Sequence, residues 1–511
     1  MNLSTHNKSA PFVNLLDISS EISRQNDEFL SQKAEFSSPQ AAKQFTKSKN
    51  LGQVFTPPFV VELMLDLPQN KRLCGRKILE AGCGDGAFLT HITRRYIKEF
   101  LENSSDLNAL KKDLQQNIIG VEIDSEILSK CRANLDNAAS EFGLQNVAWN
   151  LQNGDFLELW RHYKRQIDVI IGNPPYIRVH NLNANARKFT RGGMTDLFLI
   201  FFELGFECLK NGGSLTFITP SSWLNSKAGL NLRCQIKEQR HLASIIDFAH
   251  EKVFDKITTY SLISSFVKGK KHEFIDISEF KNGSYAEFRQ VRYENLFLES
   301  KAHELFLGEA KFKAILNLKP LSVKNGFATL CDEFFFGDFA GQDYPKIRAY
   351  KASNGKWYEC IYPYDELGRF VRPKGAVLSR YQAYEMRLKK RDLRGASWFE
   401  FGRSQGIKDT NKRKIAFNTL IKELKDLRIG EVRAGEGVFG GLYITSDLPL
   451  KDFEKALRND EFLRFVRSLG KYKNGGYYTF SSADLGRFLA HKFGEIETKS
   501  DFLKDKDEFK R

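Results

Sequence analysis

The stretch ILEAGCGDGAFL, residues 78–89, reads as a strand, a glycine-rich turn and the start of a helix. Gly82, Gly84 and Gly86 fall at alternate positions, which lets the backbone turn tightly and approach a ligand at a helix N-terminus. The turn lacks the Gly-Lys-Ser/Thr ending of a phosphate-gripping loop and differs from the G-x-G-x-x-G of dinucleotide binders. Glu80 stands at the end of its strand. The next apolar run, NIIGVEID (117–124), also ends in an acid, Glu122, followed by Ile123. A third, VAWNLQNGD (147–155), closes on Asp155 just before Phe156. An acid ending the second strand is placed to accept from both ribose hydroxyls, and one ending the third to accept from an adenine amino group. Together these acids point to a nucleoside-type cofactor at the carboxyl edge of a parallel sheet. A nicotinamide cofactor is the rival, and the glycine spacing argues against it.

Outward from this loop, the chain from Leu51 alternates short apolar runs with helical stretches, the pattern of βαβ units on a parallel sheet. Further strands are predicted at 77–82, 167–175, 213–220, 242–249 and 259–267, with helices around 86–101 and 196–210. The last two strands, joined by a short connection, are expected as an antiparallel hairpin at the sheet edge. KGKKHEFIDISEFKNG (268–283) reads as a charged loop, and beyond it the sequence turns aromatic and basic with scattered glycine. The expected organisation is a polar extension over 1–50, a catalytic α/β domain over 51–284 and a second domain over 285–511.

A chain of 511 residues exceeds what one core usually organises, which agrees with two large domains. Lys and Arg outnumber Asp and Glu by 78 to 63, and the net charge of +15 suits a polyanion such as nucleic acid without proving one. Seven cysteines lie scattered without C-x-x-C pairs, so neither a disulfide framework nor a zinc cluster is expected. With no long apolar run and no leader-like start, the reading is a cytoplasmic protein without a membrane span.

After the fourth predicted strand stands Asn173-Pro174-Pro175-Tyr176. An amino group on a conjugated carbon has a delocalised lone pair and is a poor nucleophile. The amide oxygen of Asn173 and the carbonyl of Pro174 can accept both amino hydrogens and draw the nitrogen toward tetrahedral geometry. Successive prolines stiffen the loop. Tyr176 supplies a flat ring for a base taken out of a duplex.

These motifs resemble, in matching order over about Leu51 to Lys268, the γ-class N6-adenine DNA methyltransferases, the TaqI-like branch of the restriction–modification methylases. The resemblance implies a class I (Rossmann-like) S-adenosylmethionine-dependent methyltransferase sheet plus a C-terminal α+β target-recognition domain. LGQVFTPPFVVELML (51–65) resembles the opening motif, which implies that Thr56 and Pro57 hold the methionine end of S-adenosylmethionine. DLFLIFFELGFECLKNGGSLTFITPSSWL (196–224) implies Phe201 beside the cofactor adenine, and EKVFDKITTYSLISSFVKG (251–269) implies Phe254 as a second aromatic against the flipped base. In RYQAYEMRLKKRDLRGASWFEFGRSQGI (380–407), Arg387, Lys389, Lys390, Arg391, Arg394, Arg403 and Gln405 are candidate contacts to double-stranded DNA, a solvated charged helix being the competing reading. A monomer is expected, with a restriction endonuclease encoded separately as partner.

Three other functions compete for the same residues. A methyltransferase acting on a protein glutamine or on RNA shares the Asn-Pro-Pro-Tyr chemistry but needs no large basic second domain. A fused nuclease requires a metal-binding acid cluster, which Glu279-Phe280-Lys281 only faintly resembles. A specificity protein with an inactive fold is opposed by the intact acids, glycines and catalytic tetrapeptide.

Overall fold

The computed structural model describes residues 56–179, 184–189, 195–254, 260–299, 303–393 and 395–494. The polar extension over 1–50, residues 51–55 of the opening motif and Arg394 lie outside the described residues. The chain divides into two compact units, Met1–Leu305 and Phe306–Arg511.

One nine-stranded sheet organises the first unit: β1 Ile78–Ala81, β2 Ile118–Glu122, β3 Asn150–Asn153, β4 Ile167–Gly172, β5 Leu209–Pro220, β6 Leu242–Asp247, β7 Ser261–Val267, β8 Phe274–Lys281 and β9 Ser284–Arg292. Their order is β3-β2-β1-β4-β5-β7-β6-β8-β9. β1 to β5 pair in parallel, while β7 runs antiparallel between β5 and β6. Every residue of β1 and β2 is buried, as expected for parallel strands covered on both faces. The covering helices are α1 Pro58–Leu65, α2 Ala87–Leu101, α3 Leu107–Asn117, α4 Ser125–Ser140, α5 Phe156–Leu159, α6 Leu197–Cys208 and α7 Leu230–Gln239. Asp106 and Asp124 cap α3 and α4, each accepting from backbone amides of the first helical turn.

A buried polar network fastens the turn after α1 to the sheet. Asn70 donates to the Met64 carbonyl at 2.8 Å and to Thr216 Oγ1 at 3.0 Å, and Ser214 Oγ donates back to Asn70 Oδ1 at 3.1 Å. Glu62 of α1 also grips His91 and Arg95 of α2. Burial pushes the Glu62 carboxyl up, but the His91 hydrogen bond and the Arg95 charge outweigh it and hold it below the ordinary carboxylate range.

Two expectations are corrected. The β6–β7 pair is antiparallel as expected, but it is not the sheet edge, because β8 and β9 continue the sheet beyond β6. The segment read as a charged loop over 268–283 contains β8, whose Ile275, Ile277 and Phe280 point into the core. A register shift between Glu279 and Phe280 breaks the two-residue alternation and hides the strand behind its charged face. The first unit runs to Leu305.

The second unit is α+β. It holds two four-stranded sheets and one three-stranded sheet. Its main core is aromatic, with Phe327, Phe334, Phe335, Phe401 and Phe439 packed around Tyr381 and Leu388. The segment singled out as DNA-contacting contributes two helices here, α8 Gly375–Ala383 and α9 Glu385–Lys389.

Candidate active site

The carboxyl ends of β1, β2, β3 and β4 meet at one edge of the first unit's sheet. The amides of Gly82 and Cys83 both donate to the Val121 carbonyl, at 2.8 and 3.0 Å, and lash the glycine turn to β2. Gly84 and Gly86 have φ of +56° and +88°, a region that strains residues with a Cβ. Their surroundings differ. A Cβ on Gly86 would stand 2.7 Å from Cys131 Sγ of α4, whereas a Cβ on Gly84 would meet nothing within 4 Å. Gly86 therefore serves packing, and Gly84 keeps one side of the turn open.

Glu122 lines that opening. One carboxylate oxygen accepts from the Gly84 amide at 2.9 Å and the other from the Asp124 amide at 3.0 Å, so this acid shapes the turn it faces. Asn153, at the end of β3, donates to the carbonyls of Glu122 at 3.0 Å and Ile123 at 3.2 Å. Ile123 itself is half exposed, an apolar side chain at the rim. Asp155 caps α5 by accepting from the Leu157 amide at 2.9 Å. Glu80 is turned inward, buried and bonded to the Leu89 amide at 3.2 Å. Burial, reinforced by the neighbouring Cys131 thiol, carries its carboxyl well above the ordinary range, although the Leu89 amide pulls the other way.

The loop after β4 comes to the same place. A Cβ on Gly82 would project to 3.9 Å from the Phe201 ring and 4.0 Å from Pro175 Cδ, so turn, Asn-Pro-Pro-Tyr tetrapeptide and α6 converge there. Phe201 also packs on Phe156, ring centres 5.3 Å apart. Asn173 donates from its side-chain nitrogen to Thr56 Oγ1 at 3.1 Å, across 117 residues of sequence. Pro57 is the residue that leads into α1. Tyr176 donates its hydroxyl to the Ile218 carbonyl at 3.1 Å, and its ring meets Phe198 and Phe254 at 6.2 Å each, both steeply inclined at 77°. Phe198 is not distinguished by any motif in the sequence. Its signal was its place three residues before Phe201 on one apolar helix.

Residues 40–254 match the family described as Eco57I restriction-modification methylase. That segment, under half of the chain, is similar to members of this family. The methylase segment is 28% identical over 236 residues to the type II methyltransferase M.XhoI of Xanthomonas vasicola, covering 43% of each chain. It is 28% identical over 241 residues to M.HincII of Haemophilus influenzae, covering 45% of this chain and 40% of that one. The match thus spans about two fifths of the length of these relatives. Over most of its length the chain is similar in fold to the type IIL restriction-modification enzyme MmeI, solved in complex with DNA. That likeness has a TM-score of 0.56 at 13% identity and covers 88% of this chain and 67% of that one.

The methylase family implies S-adenosylmethionine as the methyl donor, and the residues present fit it. The open side of Gly84, the Glu122 carboxylate beside it, the exposed Ile123 and the Phe156–Phe201 pair offer a polar and an apolar wall at one sheet edge. Among the described residues no grouping of His, Cys, Asp and Glu could hold a metal ion, and Phe280 of the Glu279-Phe280-Lys281 triplet is buried against Phe59. No described helix is long and apolar enough to cross a membrane, and all seven cysteines are free thiols.

In the second unit the candidate DNA contacts separate into groups. Arg387 and Lys389 are exposed on α9, paired with Glu333 and Glu385 at 2.5 Å each, and Lys390 is exposed beside them. Gln405 is exposed and Arg403 binds Asp392 at 2.8 Å. Arg391 is held within the unit. Its guanidinium donates to the carbonyls of Leu388, Thr329 and Trp398 at 2.9, 2.7 and 2.6 Å, so it braces this unit's own loops.

Proposed function

We propose that the protein is a site-specific adenine-N6 DNA methyltransferase of the γ class, the modification component of a restriction–modification system. The observation that carries this reading is the approach of Pro175 and Phe201 to Gly82 of the glycine turn, with Asn173 two residues before Pro175 and bonded to Thr56. An amide acceptor and a stiff proline loop standing beside the glycine turn answer the two needs of amino-group methylation.

When bound, S-adenosylmethionine supplies an electrophilic methyl group on its sulfonium. Glu122 accepts from the ribose hydroxyls, since carboxylate oxygens accept more than one hydrogen bond each. Ile123, Phe156 and Phe201 enclose the adenine ring, and Asp155 accepts from its amino group. Asn173 Oδ1 and the Pro174 carbonyl accept the two hydrogens of the target amino group and aim its lone pair at the methyl carbon. No strong general base is required, because the nitrogen becomes acidic only as the new N–C bond forms and its proton then passes to water. The target base stacks between Tyr176 and Phe254, which requires one ring to leave their present inclined contact.

The second unit is proposed to read double-stranded DNA, through the exposed face that carries Arg387, Lys389, Lys390 and Gln405, with Arg403 beside it. An ion pair at the surface is weak, so phosphate can displace Glu333 and Glu385 from their partners at little cost. Action as a monomer in the cytoplasm, with a separately encoded nuclease, completes the proposal.

Incubating the protein with labelled S-adenosylmethionine and, separately, duplex DNA, RNA and a protein extract tests the substrate class. Label confined to DNA supports the reading. Label in protein glutamine or RNA, with DNA unlabelled, transfers the same chemistry to another substrate and contradicts it.

A further inference from the structure

We propose that Thr56 is a positioning residue for the reacting loop: by accepting from Asn173 Nδ2, its hydroxyl oxygen holds the Asn173 amide in place with Oδ1 directed away from Thr56. The inference rests on the amino-methylation reading above. A carboxamide is nearly symmetric in shape, and a half-turn about its last side-chain bond exchanges acceptor oxygen for donor nitrogen. Only the oxygen end helps, because the nitrogen end would set donor against donor. Thr56 Oγ1 lies 3.1 Å from Asn173 Nδ2 and accepts from it, which turns Oδ1 away from Thr56.

The surroundings keep that acceptor in place. Thr56 is 8% exposed, so water does not readily take over its role. It precedes Pro57 and Pro58, and a residue before proline is confined to extended backbone. Those prolines start α1, which is bound to α2 through Glu62 and runs into the turn held to the sheet by Asn70. The family resemblance gave this threonine to the methionine end of the cofactor. The geometry points its hydroxyl at the catalytic amide.

Two variants separate the roles. Thr56→Val keeps the shape and removes the acceptor, while Thr56→Ser keeps the acceptor. For Thr56→Val, kcat is expected to fall about tenfold, the worth of one neutral hydrogen bond, with KM for S-adenosylmethionine within about twofold. Thr56→Ser is expected to restore most of kcat. A rise in KM of about tenfold with kcat unchanged would make Thr56 a cofactor contact and overturn the proposal. A second readout needs no turnover. In ¹⁵N-asparagine-labelled protein, the side-chain signal absent from Asn173→Ala should move and lose exchange protection in Thr56→Val. An unchanged signal there also overturns the proposal. Should the wild-type protein methylate nothing, the functional reading fails, and this signal still decides the contact by itself.

Discussion

On the proposed mechanism Asn173 supplies an acceptor that matters most when the amino nitrogen is becoming tetrahedral, so its removal should act on the rate and not on binding. For Asn173→Ala, turnover is expected to be lost while affinity for cofactor and DNA stays near that of wild type, as measured by calorimetry and gel shift. Weak cofactor binding by this variant would indicate a collapsed site. Gly84 and Gly86 make a contrasting pair. Gly86→Ala meets both a left-handed backbone and the Cys131 sulfur at 2.7 Å, and should cost about 2–4 kcal/mol in thermal unfolding. Gly84→Ala meets the backbone penalty alone, about 1–2 kcal/mol, and should instead weaken cofactor binding by filling the open side of the turn. Equal destabilisation by the two would contradict this division. The glycines, Glu122 and Asn173 were legible in the sequence because strand ends and turn chemistry are local. The Thr56–Asn173 bond was not, since nothing local joins residues 117 apart. Nor did Arg391 betray that its donors are spent on carbonyls, because a basic run looks alike whether it faces solvent or its own fold.

Among the elements, the parallel strands announced themselves by continuous apolar runs, and β1, β2 and β4 fell where they were expected. β8 was concealed by the register shift between Glu279 and Phe280 and by its charged outer face. The attachment of α1 was equally invisible, because Asn70, Thr216 and Ser214 are scattered polar residues until the sheet brings them together. Asn70 is 1% exposed, so Asn70→Ala leaves Thr216 and Ser214 short of a partner in a dry place. The expected loss is about 1–3 kcal/mol, read from chemical denaturation. Since α1 begins beside Thr56, this variant should also lose turnover at temperatures where it is still folded. Full activity there would show that the helix does not set the geometry of the reacting loop.

At the scale of the whole molecule, the α/β unit carries its function in its motifs and the α+β unit does not. Target-recognition chemistry depends on which side chains reach base edges, and the second unit's aromatic residues are largely core, as with Phe334, Phe335 and Tyr381. Its stability has a distinct acid signature. Asp409 is buried, which would raise its carboxyl, but hydrogen bonds from Lys324, Lys412 and Tyr443 bring it down to about 2 from 3.8. With the folded value below the unfolded one, the stabilisation is complete above 3.8 and is lost as pH falls through about 2. Its size is on the order of 1–2 kcal/mol, given that Lys324 and Lys412 reach into solvent. Asp409→Asn should flatten the fall in unfolding temperature over that acid window, and an unchanged profile would remove Asp409 as its source.

The central claim is the identity of the methylated atom. Duplex DNA treated with the protein and S-adenosylmethionine, digested to nucleosides and separated by mass spectrometry, reads it directly. The account predicts N6-methyladenine with the wild-type chain and none with Asn173→Ala. Methyl groups on cytosine, or methyladenine persisting with Asn173→Ala, would contradict it.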